Sequence, residues 1–361
     1  MNINIFSLAP LALACSLAFM GASANAAAII SNGTVALGVK DSGALNVGGG
    51  SPIFGPSFTS PGSGTVGGTG VRGLFVNGTS GFEATYPGCL CEGWGVAVSS
   101  LGITGYDGNG FSNLSGGAAT FGTNALGGMA TTVRTIANGL GSPVLEVTHN
   151  FKPTALTPYL YQVDVAIKNL SGMTLGTGAT DLRYTRLMDF DTEPTPFSEK
   201  ITIQRGGATN LLTTSDNGFE IADPLFPTSS LQGCAPVSTS FVDCGPADHG
   251  ARFDFGFGAL LGADDLTTVG DDTVRMFTIY YGAAPSEALA DAARLAVGAG
   301  VYAYGQTNTD PGDGTPITYI FAFGSAGVGG VVPTVPEPES LALLGIGLVG
   351  LAATRRRKQS A

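Results

Sequence analysis

The chain has 361 residues, of which 56 are glycine and 12% are charged, with a net charge of −11. The glycine share is roughly twice the usual 7% and the charged share about half the usual quarter, which excludes coiled coils, helical bundles and charge-rich disorder. The glycines follow no three-residue period, so a collagen triple helix is excluded as well. Sparse charge with many turn-forming residues is typical of an exported protein rich in β-strands.

The N-terminal segment has the features of a secretory signal peptide. Residues 1–26 contain no acid or base, and their apolar stretch leads to the small-residue site Ala24-Asn25-Ala26. The segment departs from the pattern in lacking a basic residue near its start. A lipoprotein signal ending at Cys15 is the alternative, but Ala12 stands where a large aliphatic residue is preferred. We therefore predict a signal peptide over 1–26.

The central region is a series of short runs in which apolar and polar residues alternate, which is the pattern of β-strands. The clearest run is 159–169, where Tyr161, Val163 and Val165 share one face with Ile167. This pattern predicts an all-β fold, an antiparallel β-sandwich with many short strands, over residues 27–323. Further strands are predicted near 73–76, 94–99, 144–151, 182–190, 200–204, 252–257, 273–281 and 317–323.

One minor helix is predicted late in this region. Ser286 is a suitable N-cap for a helix reaching about Val297. Leu289, Ala293 and Ala296 would lie on its apolar stripe.

Two glycine-rich segments are predicted to lack regular structure. Residues 47–70, rich in Gly, Pro and Ser, are predicted to form a flexible loop over the sheet or a linker after an N-terminal strand. Residues 324–334 read as a Gly/Val/Pro spacer that holds the domain away from a membrane.

The central region is more acidic than the whole chain. Without the signal peptide and the C-terminal segment, 12 Lys and Arg stand against 25 Asp and Glu, a net charge of about −13. Nucleic-acid binding is disfavoured because phosphate contacts need clustered Lys and Arg. An acidic surface suits solubility outside the cell and cation binding.

Four cysteines remain after the signal peptide, an even number that predicts disulfides in an oxidising compartment. We favour a bond between Cys234 and Cys244, which closes a loop rich in Pro and Ser. Cys89 and Cys91 would pair with each other or stay reduced. A bridge between residues so close in sequence is strained, so pairing between the two clusters stays open. The spacing fits zinc poorly.

The densest acidic cluster follows the strand predicted over 182–190. If the strand continues, Asp189 and Asp191 share a face about 6.6 Å apart. With help from Glu193, they would hold a calcium ion through hard oxygen ligands. A solvated strand end is the plain alternative, and a glycosidase carboxyl pair is the third, although such pairs rarely come from one strand face.

Other polar residues have ordinary structural explanations beside the functional ones. The acidic stretch 308–314 resembles a calcium-binding turn but lacks the ligand spacing of an EF-hand, so a simple turn is favoured. His149 and His249 are the two histidines, and no serine lies in a nucleophile elbow, which disfavours a Ser-His-Asp hydrolase. Trp94 would pack in the core or stack on a sugar ring.

The C-terminal end contains three consecutive parts: a Pro-Glu-Pro motif, an uncharged apolar run and a basic tail. In this order, residues 335–358 resemble the PEP-CTERM sorting signal of Gram-negative bacteria. The resemblance implies processing by an exosortase, a membrane-embedded protease-transpeptidase, near the motif. The motif is Pro336, Glu337 and Pro338, and the basic stop is Arg355, Arg356, Arg357 and Lys358.

The apolar run is predicted to form a transmembrane helix over 340–354. Its uncharged residues span about 21 Å at 1.5 Å per residue, less than the roughly 30 Å of a bilayer core, so it would be a weak and transient anchor in the inner membrane. The basic tail holds its end in the cytoplasm. Residues 345–350 match the dinucleotide fingerprint G-x-G-x-x-G, but no strand or βαβ unit accompanies them, so no nucleotide site is predicted.

Together these features predict an exported protein of the outer envelope or the extracellular matrix. We expect a non-enzymatic structural or carbohydrate- and cation-binding module of the exopolysaccharide or biofilm matrix. The alternative is a secreted carbohydrate-active hydrolase that uses the acids near 189–193. The stretches 86–95 and 252–258 look similar to bacterial secreted modules, a resemblance that implies no particular activity.

Overall fold

The computed structural model describes residues 23–25, 27–60, 67–75, 81–89, 91–206, 208–230, 241–263, 272–308 and 316–324. The predicted signal peptide apart from 23–25, the spacer beyond Gly324 and the sorting signal 335–358 lie outside these ranges. So do Cys234 and most of the acidic stretch 308–314.

The described residues form 23 strands, one α-helix and a single 3₁₀ turn at Ser99–Leu101. The predicted all-β class is therefore confirmed. In chain order the elements are β1 (Ser23–Asn25), β2 (Ala27–Ser31), β3 (Val35–Lys40), β4 (Val47–Gly48), β5 (Ile53–Phe54), β6 (Gly68–Thr69), β7 (Val71–Gly73), β8 (Phe82–Glu83), β9 (Glu92–Val98), β10 (Ile103–Gly108), β11 (Phe111–Ser112), β12 (Ala119–Asn124), β13 (Gly127–Ala137), β14 (Pro143–Pro153), β15 (Leu160–Asn169), β16 (Leu182–Asp189), β17 (Glu199–Gln204), β18 (Leu211–Ser215), β19 (Phe241–Ala247), β20 (Gly250–Phe257), β21 (Val274–Ala284), α1 (Glu287–Ala296), β22 (Val301–Gln306) and β23 (Thr318–Phe323).

The strands form two large sheets and two small ones. The large sheet has the order β1-β12-β13-β14-β15-β21-β23-β22-β17-β19, and the second has the order β11-β10-β9-β16-β20-β18. The third sheet is β5-β2-β3-β7-β8, and the fourth is the pair β4-β6. All pairings between these strands are antiparallel except that of β2 with β5. We call the first two the ten-stranded and six-stranded sheets.

The two large sheets face each other across a core of aromatic side chains. Phe253 and Phe255 of the six-stranded sheet contact Phe321 and Phe323 of the ten-stranded sheet, with ring centroids 4.8–5.4 Å apart. Such rings supply much of the apolar area that a sheet pair must bury. The five-stranded sheet contributes to the same core, since Ile30 and Leu37 are fully buried in it.

The clearest predicted strand is confirmed. β15 runs from Leu160 to Asn169, and Tyr161, Val163 and Val165 on its apolar face have no exposed area. The remaining predicted runs match β7, β9, β14, β16, β17, β20, β21 and β23 to within a few residues. The strands that the sequence pattern does not predict include β2, β3, the stretch from β10 to β13, β18, β19 and β22, because glycine and small residues obscure the alternation there.

The predicted helix is confirmed, but of its predicted apolar stripe only Ala293 is buried, while Leu289 and Ala296 are exposed. The Ser286 side chain accepts a hydrogen bond from the Leu289 backbone N–H, as an N-cap does. Ala290 and Ala293 are buried, whereas Leu289 is 39% exposed. The helix packs on the outer side of the ten-stranded sheet, near Ile320. Small alanines allow this close approach, so the larger leucine turns outward.

The segment 47–70, predicted as a flexible loop, contributes three short strands in its described parts. β5 pairs in parallel with β2, and β4 pairs with β6. Gly68 is buried so closely against Tyr86 that a Cβ atom there would lie 2.0 Å from the ring. Position 68 therefore needs glycine because a larger residue would collide with the Tyr86 ring.

Several connections carry the chain between the large sheets, and two of them lie side by side. Residues 190–198 lead from β16 in the six-stranded sheet to β17 in the ten-stranded sheet, and residues 248–249 lead from β19 back to β20. Asp189 pairs with Gly250, and Glu199 pairs with Ala247. We call these connections the crossovers.

Among the described residues, no helix is both long and apolar enough to cross a bilayer. The transmembrane helix predicted over 340–354 lies outside the described residues.

Candidate functional site

The two aspartates singled out in the sequence lie at the start of the first crossover. Asp189 is the last residue of β16, and its backbone N–H donates to the carbonyl of Cys91, 2.8 Å away. Asp191 follows two positions later. Phe190 between them fills the core, so both aspartates turn away from it. Neither aspartate has exposed area, which rules out the plain alternative of a solvated strand end.

A third carboxyl group comes from the second crossover. Asp248 lies between β19 and β20, and one ligand oxygen each from Asp189, Asp191 and Asp248 lie within 4.8 Å of one another. The sequence analysis did not place Asp248 beside this pair, because about 60 residues separate them in the chain. The register of β16 with β20, with Asp189 opposite Gly250, brings them together.

A fourth carboxyl group, Glu199, borders the same cluster from β17. Its Oε1 accepts a hydrogen bond of 2.7 Å from the backbone N–H of His249, and the side chain has no exposed area. Its negative charge raises the pKa of Asp189, and the charges of Asp191 and Asp248 raise the pKa of Glu199. We call Asp189, Asp191, Glu199 and Asp248 the carboxyl cluster.

The carboxyl cluster lacks the partners that buried acids normally have. Asp189 Oδ1, both oxygens of Asp191, Asp248 Oδ1 and Glu199 Oε2 are buried, and none accepts a hydrogen bond from an N–H or O–H donor. Within the described part of the chain, no salt bridge reaches these four side chains. Buried carboxylates in proteins are ordinarily paired, hydrogen-bonded or metal-bound.

This environment raises the pKa of each member of the cluster. Burial, followed by the charge of Asp191, raises the pKa of Asp189 to about 10. Burial also raises the pKa of Asp191 to about 7 and the pKa of Glu199 to about 8. Burial raises the pKa of Asp248, although the charge of neighbouring His249 opposes this. Alone, the cluster therefore retains protons near neutral pH, and a bound cation would displace them.

Glu193, the third predicted ligand, is placed elsewhere. Its Oε2 accepts a hydrogen bond of 2.8 Å from the backbone N–H of Glu83, and its own N–H donates to the Glu83 carbonyl at 2.9 Å. It thereby joins the first crossover to β8 of the five-stranded sheet. Asp248 and Glu199, and not Glu193, are the acids that neighbour Asp189 and Asp191.

A disulfide borders the cluster. Cys89 and Cys91 are bonded to each other, which decides between the alternatives left open by the sequence. The sulfur of Cys89 lies 3.4 Å from Asp189 Oδ2. Gly88 has φ +91°, and a Cβ atom there would lie 2.5 Å from Asp191 Oδ2. Cys244 is also disulfide-bonded, but its predicted partner Cys234 lies outside the described residues.

The two histidines are buried and serve other contacts. His249 Nδ1 lies 3.1 Å from Asp216 Oδ2, so its ring faces that acid. His149 Nε2 shares a hydrogen bond of 3.0 Å with the Tyr184 hydroxyl, and burial lowers the pKa of His149 well below its usual value. Trp94 packs on the His149 ring with no exposed area, so it is a core residue.

A second buried polar cluster joins the same sheets but is fully paired. Arg186 Nε lies 2.6 Å from Glu92 Oε1, and the Tyr281 hydroxyl donates to the same oxygen at 2.8 Å. The Leu45 backbone N–H donates to Glu92 Oε2 at 2.6 Å, and Arg186 donates to the Gly43 carbonyl at 2.9 Å. Arg186 and Glu92 belong to the six-stranded sheet and Tyr281 to the ten-stranded sheet, while Gly43 and Leu45 follow β3 of the five-stranded sheet. We call this group the Arg186–Glu92 network.

Comparison with known protein families bears on the C-terminal segment. Residues 334–358 match the family model described as the PEP-CTERM protein-sorting motif. The chain carries a PEP-CTERM sorting motif. This confirms the resemblance seen in Pro336-Glu337-Pro338, the apolar run and the basic tail, all of which lie outside the described residues. No curated protein and no solved structure matches the chain.

The PEP-CTERM motif defines a route out of the cell. It marks the chain as an exosortase substrate that passes the inner membrane, is held there transiently and is exported. The motif covers residues 334–358 and does not define the role of the β-domain.

Proposed function

We propose that this protein is a non-enzymatic module of the exopolysaccharide or biofilm matrix, sorted by exosortase and binding carbohydrate or cations through its β-domain. The observation that carries the sorting is the PEP-CTERM match over residues 334–358. In this proposal the signal peptide 1–26 starts export, exosortase cleaves near Pro336-Glu337-Pro338, and the tail 355–358 stays in the cytoplasm. The remaining β-domain is delivered to the outer envelope or the matrix.

The outer face of the ten-stranded sheet supports a carbohydrate-binding role. Thr131, Asn150 and Asp164 stand next to one another across three strands, and each is partly exposed. Hydroxyl, amide and carboxylate groups in one row are suitable partners for sugar hydroxyl groups.

A parallel row on the same face is partly apolar. It contains Val133, Thr148, Ala166 and Met276, and Val133 and Met276 are 41% and 47% exposed. Apolar side chains between hydroxyl groups are suited to the C–H faces of sugar rings, so the two rows together favour a polysaccharide.

The burial of the carboxyl cluster supports a non-enzymatic role over the hydrolase alternative. Asp189 and Asp191 are close enough for a retaining pair of carboxyl groups, which lie roughly 5–5.5 Å apart. However, a polysaccharide must pass between such a pair, and neither aspartate has exposed area. Hydrolysis of a host polysaccharide that is lost in Asp191→Asn would establish the alternative.

The sorting proposal is tested in the native host by replacing Pro336-Glu337-Pro338 with three alanines. We expect an uncleaved precursor in the membrane fraction and loss of the extracellular form. Mass spectrometry of the wild-type C-terminus should show cleavage near the motif. Pro333→Ala, outside the matched residues, is the matched control and should be processed normally. Normal release of the triple-alanine variant would contradict exosortase sorting.

Carbohydrate binding is tested with exopolysaccharide isolated from the same host. The exported protein should co-sediment with it, and Asn150→Ala with Thr131→Ala should weaken co-sedimentation several-fold. Ser112→Ala, on the exposed edge strand β11 of the six-stranded sheet, is the control. Equal sedimentation of both variants would contradict the assignment to this face.

A further inference from the structure

The carboxyl cluster lies where the two crossovers meet. Asp189 and Asp191 begin the first crossover and Glu199 follows it, while Asp248 forms the second. The pairs Asp189–Gly250 and Glu199–Ala247 hold the crossovers side by side. A single ion among these side chains would contact both crossovers, which are two of the connections between the large sheets.

The cluster needs positive charge when it is ionised. Three aspartate oxygens lie within 4.8 Å of one another, and ionised carboxylates this close in a buried site repel strongly. The described residues supply no Lys or Arg to them through a salt bridge. Either protons or a cation must therefore neutralise the group.

Glu199 is an independent observation that favours a cation. It is not one of the three clustered aspartates, it has no exposed area, and its Oε2 has no hydrogen-bond partner. Its other oxygen is fixed by the His249 N–H. A shared proton satisfies one pair of carboxyl oxygens, such as those of Asp189 and Asp191, whereas a cation satisfies several of these oxygens together.

The donor set selects a hard cation. All the unpartnered atoms are carboxylate oxygens, five in number, and Ca²⁺ takes 6–8 oxygen ligands from carboxylates, carbonyls and water. The neighbouring sulfur atoms of Cys89 and Cys91 are bonded to each other and offer no thiolate. His249 Nδ1 faces Asp216. Soft transition metals therefore lack their preferred ligands here.

We propose that Asp189, Asp191, Glu199 and Asp248 hold one calcium ion, and that this ion fastens the two crossovers so that the large sheets are locked together. The inference deepens the cation-binding part of the proposed function, on which it rests. It replaces Glu193 by Asp248 and Glu199 in the ligand set. The ion is a structural element of the β-domain, so its binding stabilises the fold.

The test uses the full-length chain purified in detergent and stripped with EDTA. Titration with CaCl₂ in a calorimeter should show one site per chain, and the melting temperature should rise with added calcium. MgCl₂ at the same concentration should bind more weakly, because Mg²⁺ is smaller and demands near-octahedral geometry. Absence of calorimetric binding and of a melting shift would overturn the proposal, and tighter binding of magnesium would overturn the choice of calcium.

Variants separate a ligand role from a purely structural one. Asp191→Asn and Glu199→Gln should each weaken calcium binding at least tenfold, yet in EDTA they should melt no lower than the wild type, because each replaces a buried acid by a neutral side chain of the same shape. Glu193→Gln is the matched control and should bind calcium normally. If Asp191→Asn and Glu199→Gln kept wild-type affinity, or if both melted lower by the same amount with and without calcium, the proposal would fail.

These experiments test the sorting proposal and the calcium proposal independently, so that either can be refuted without the other. A host that releases Asp191→Asn with a correctly cleaved C-terminus, while the purified variant fails to bind calcium, supports both proposals. Normal calcium binding by a chain with Pro336-Glu337-Pro338 replaced shows that the site does not depend on the sorting motif. Wild-type protein that is sorted correctly but binds no calcium refutes the calcium site alone.

Discussion

The carboxyl cluster and the Arg186–Glu92 network are both buried between the same sheets, but they differ in how their charges are neutralised. Glu92 faces Arg186, a tyrosine hydroxyl and a backbone N–H, so both of its oxygens are satisfied. Asp189 and Asp191 face other acids and have oxygens without partners. Arg252 repeats the paired arrangement elsewhere in the six-stranded sheet, with Glu220 and Asp254 each 3.0 Å away.

Elsewhere in the described part of the chain, several buried acids are paired with arginine, which forms a permanent link. Arginine is always charged and its planar group fits a carboxylate. At the two crossovers the chain instead gathers acids without an internal cation. Under the calcium proposal such a site is completed by an ion from solution, so we expect the two regions to respond differently to mutation, metal and pH.

The largest expected effect on stability comes from removing the guanidinium group of the Arg186–Glu92 network. Arg186→Met leaves Glu92 buried beside a neutral side chain and should destabilise the fold by about 3–5 kcal/mol. The loss should be the same in EDTA and in calcium, as measured from urea denaturation midpoints. Arg183→Met, three residues earlier on the same strand and partly exposed, should change stability by only about 0.5 kcal/mol. Equal losses in the two variants would remove the contrast between the clusters.

A smaller effect is expected from crowding the carboxyl cluster. Gly88→Ala adds a methyl group 2.5 Å from Asp191 Oδ2 at φ +91°. Gly141→Ala, at φ +81° with open space around it, is the matched control for backbone strain of about 1–2 kcal/mol. Gly88→Ala should lose about 1–3 kcal/mol more than this control through overpacking, and should bind calcium more weakly in calorimetry. Unchanged calcium affinity in Gly88→Ala would argue against Asp191 as a ligand.

The pH dependence should separate the apo and calcium-bound states. The folded-state pKa values of Asp191 and Glu199, about 7 and 8, lie above the unfolded values near 4. The folded apo protein therefore binds more protons than the unfolded chain in this window, and its stability falls as pH rises from about 4 to 8. Calcium needs the ionised carboxylates, so its stabilisation should grow over the same range.

Melting temperatures at pH 5, 6, 7 and 8 in EDTA and in excess calcium measure this effect. The difference between the two conditions should widen with pH, and Asp191→Asn should make it narrower. A difference that stays constant or shrinks toward pH 8 would contradict displacement of protons by calcium.

The smallest expected effect concerns the ligand that the sequence predicted. Gln at position 193 can still accept the Glu83 N–H through its amide oxygen, so Glu193→Gln should cost about 1 kcal/mol or less. The cost should be identical with and without calcium in urea denaturation. A selective loss in calcium would restore Glu193 to the site and show that the crossover rearranges on metal binding.

The sequence by itself determined the features that depend on neighbours along the chain. The sorting motif at 334–358, the strand from Leu160 to Asn169 and the helix capped by Ser286 are all local patterns of residue type and spacing. Asp189 and Asp191 are two residues apart in the sequence, so their proximity is also local, although β16 ends at Asp189 and Asp191 lies beyond it. Such patterns can be recognised without knowing what the segment packs against.

Only the tertiary structure decided which distant groups share a site. Asp248 and Glu199 reach the aspartates through the registers of β16 with β20 and of β17 with β19, while hydrogen bonds with Glu83 hold Glu193 elsewhere. The outward turn of Leu289 likewise depends on the sheet beneath the helix. Register and burial are set by the packing of the whole domain, so they cannot be read from residue spacing alone.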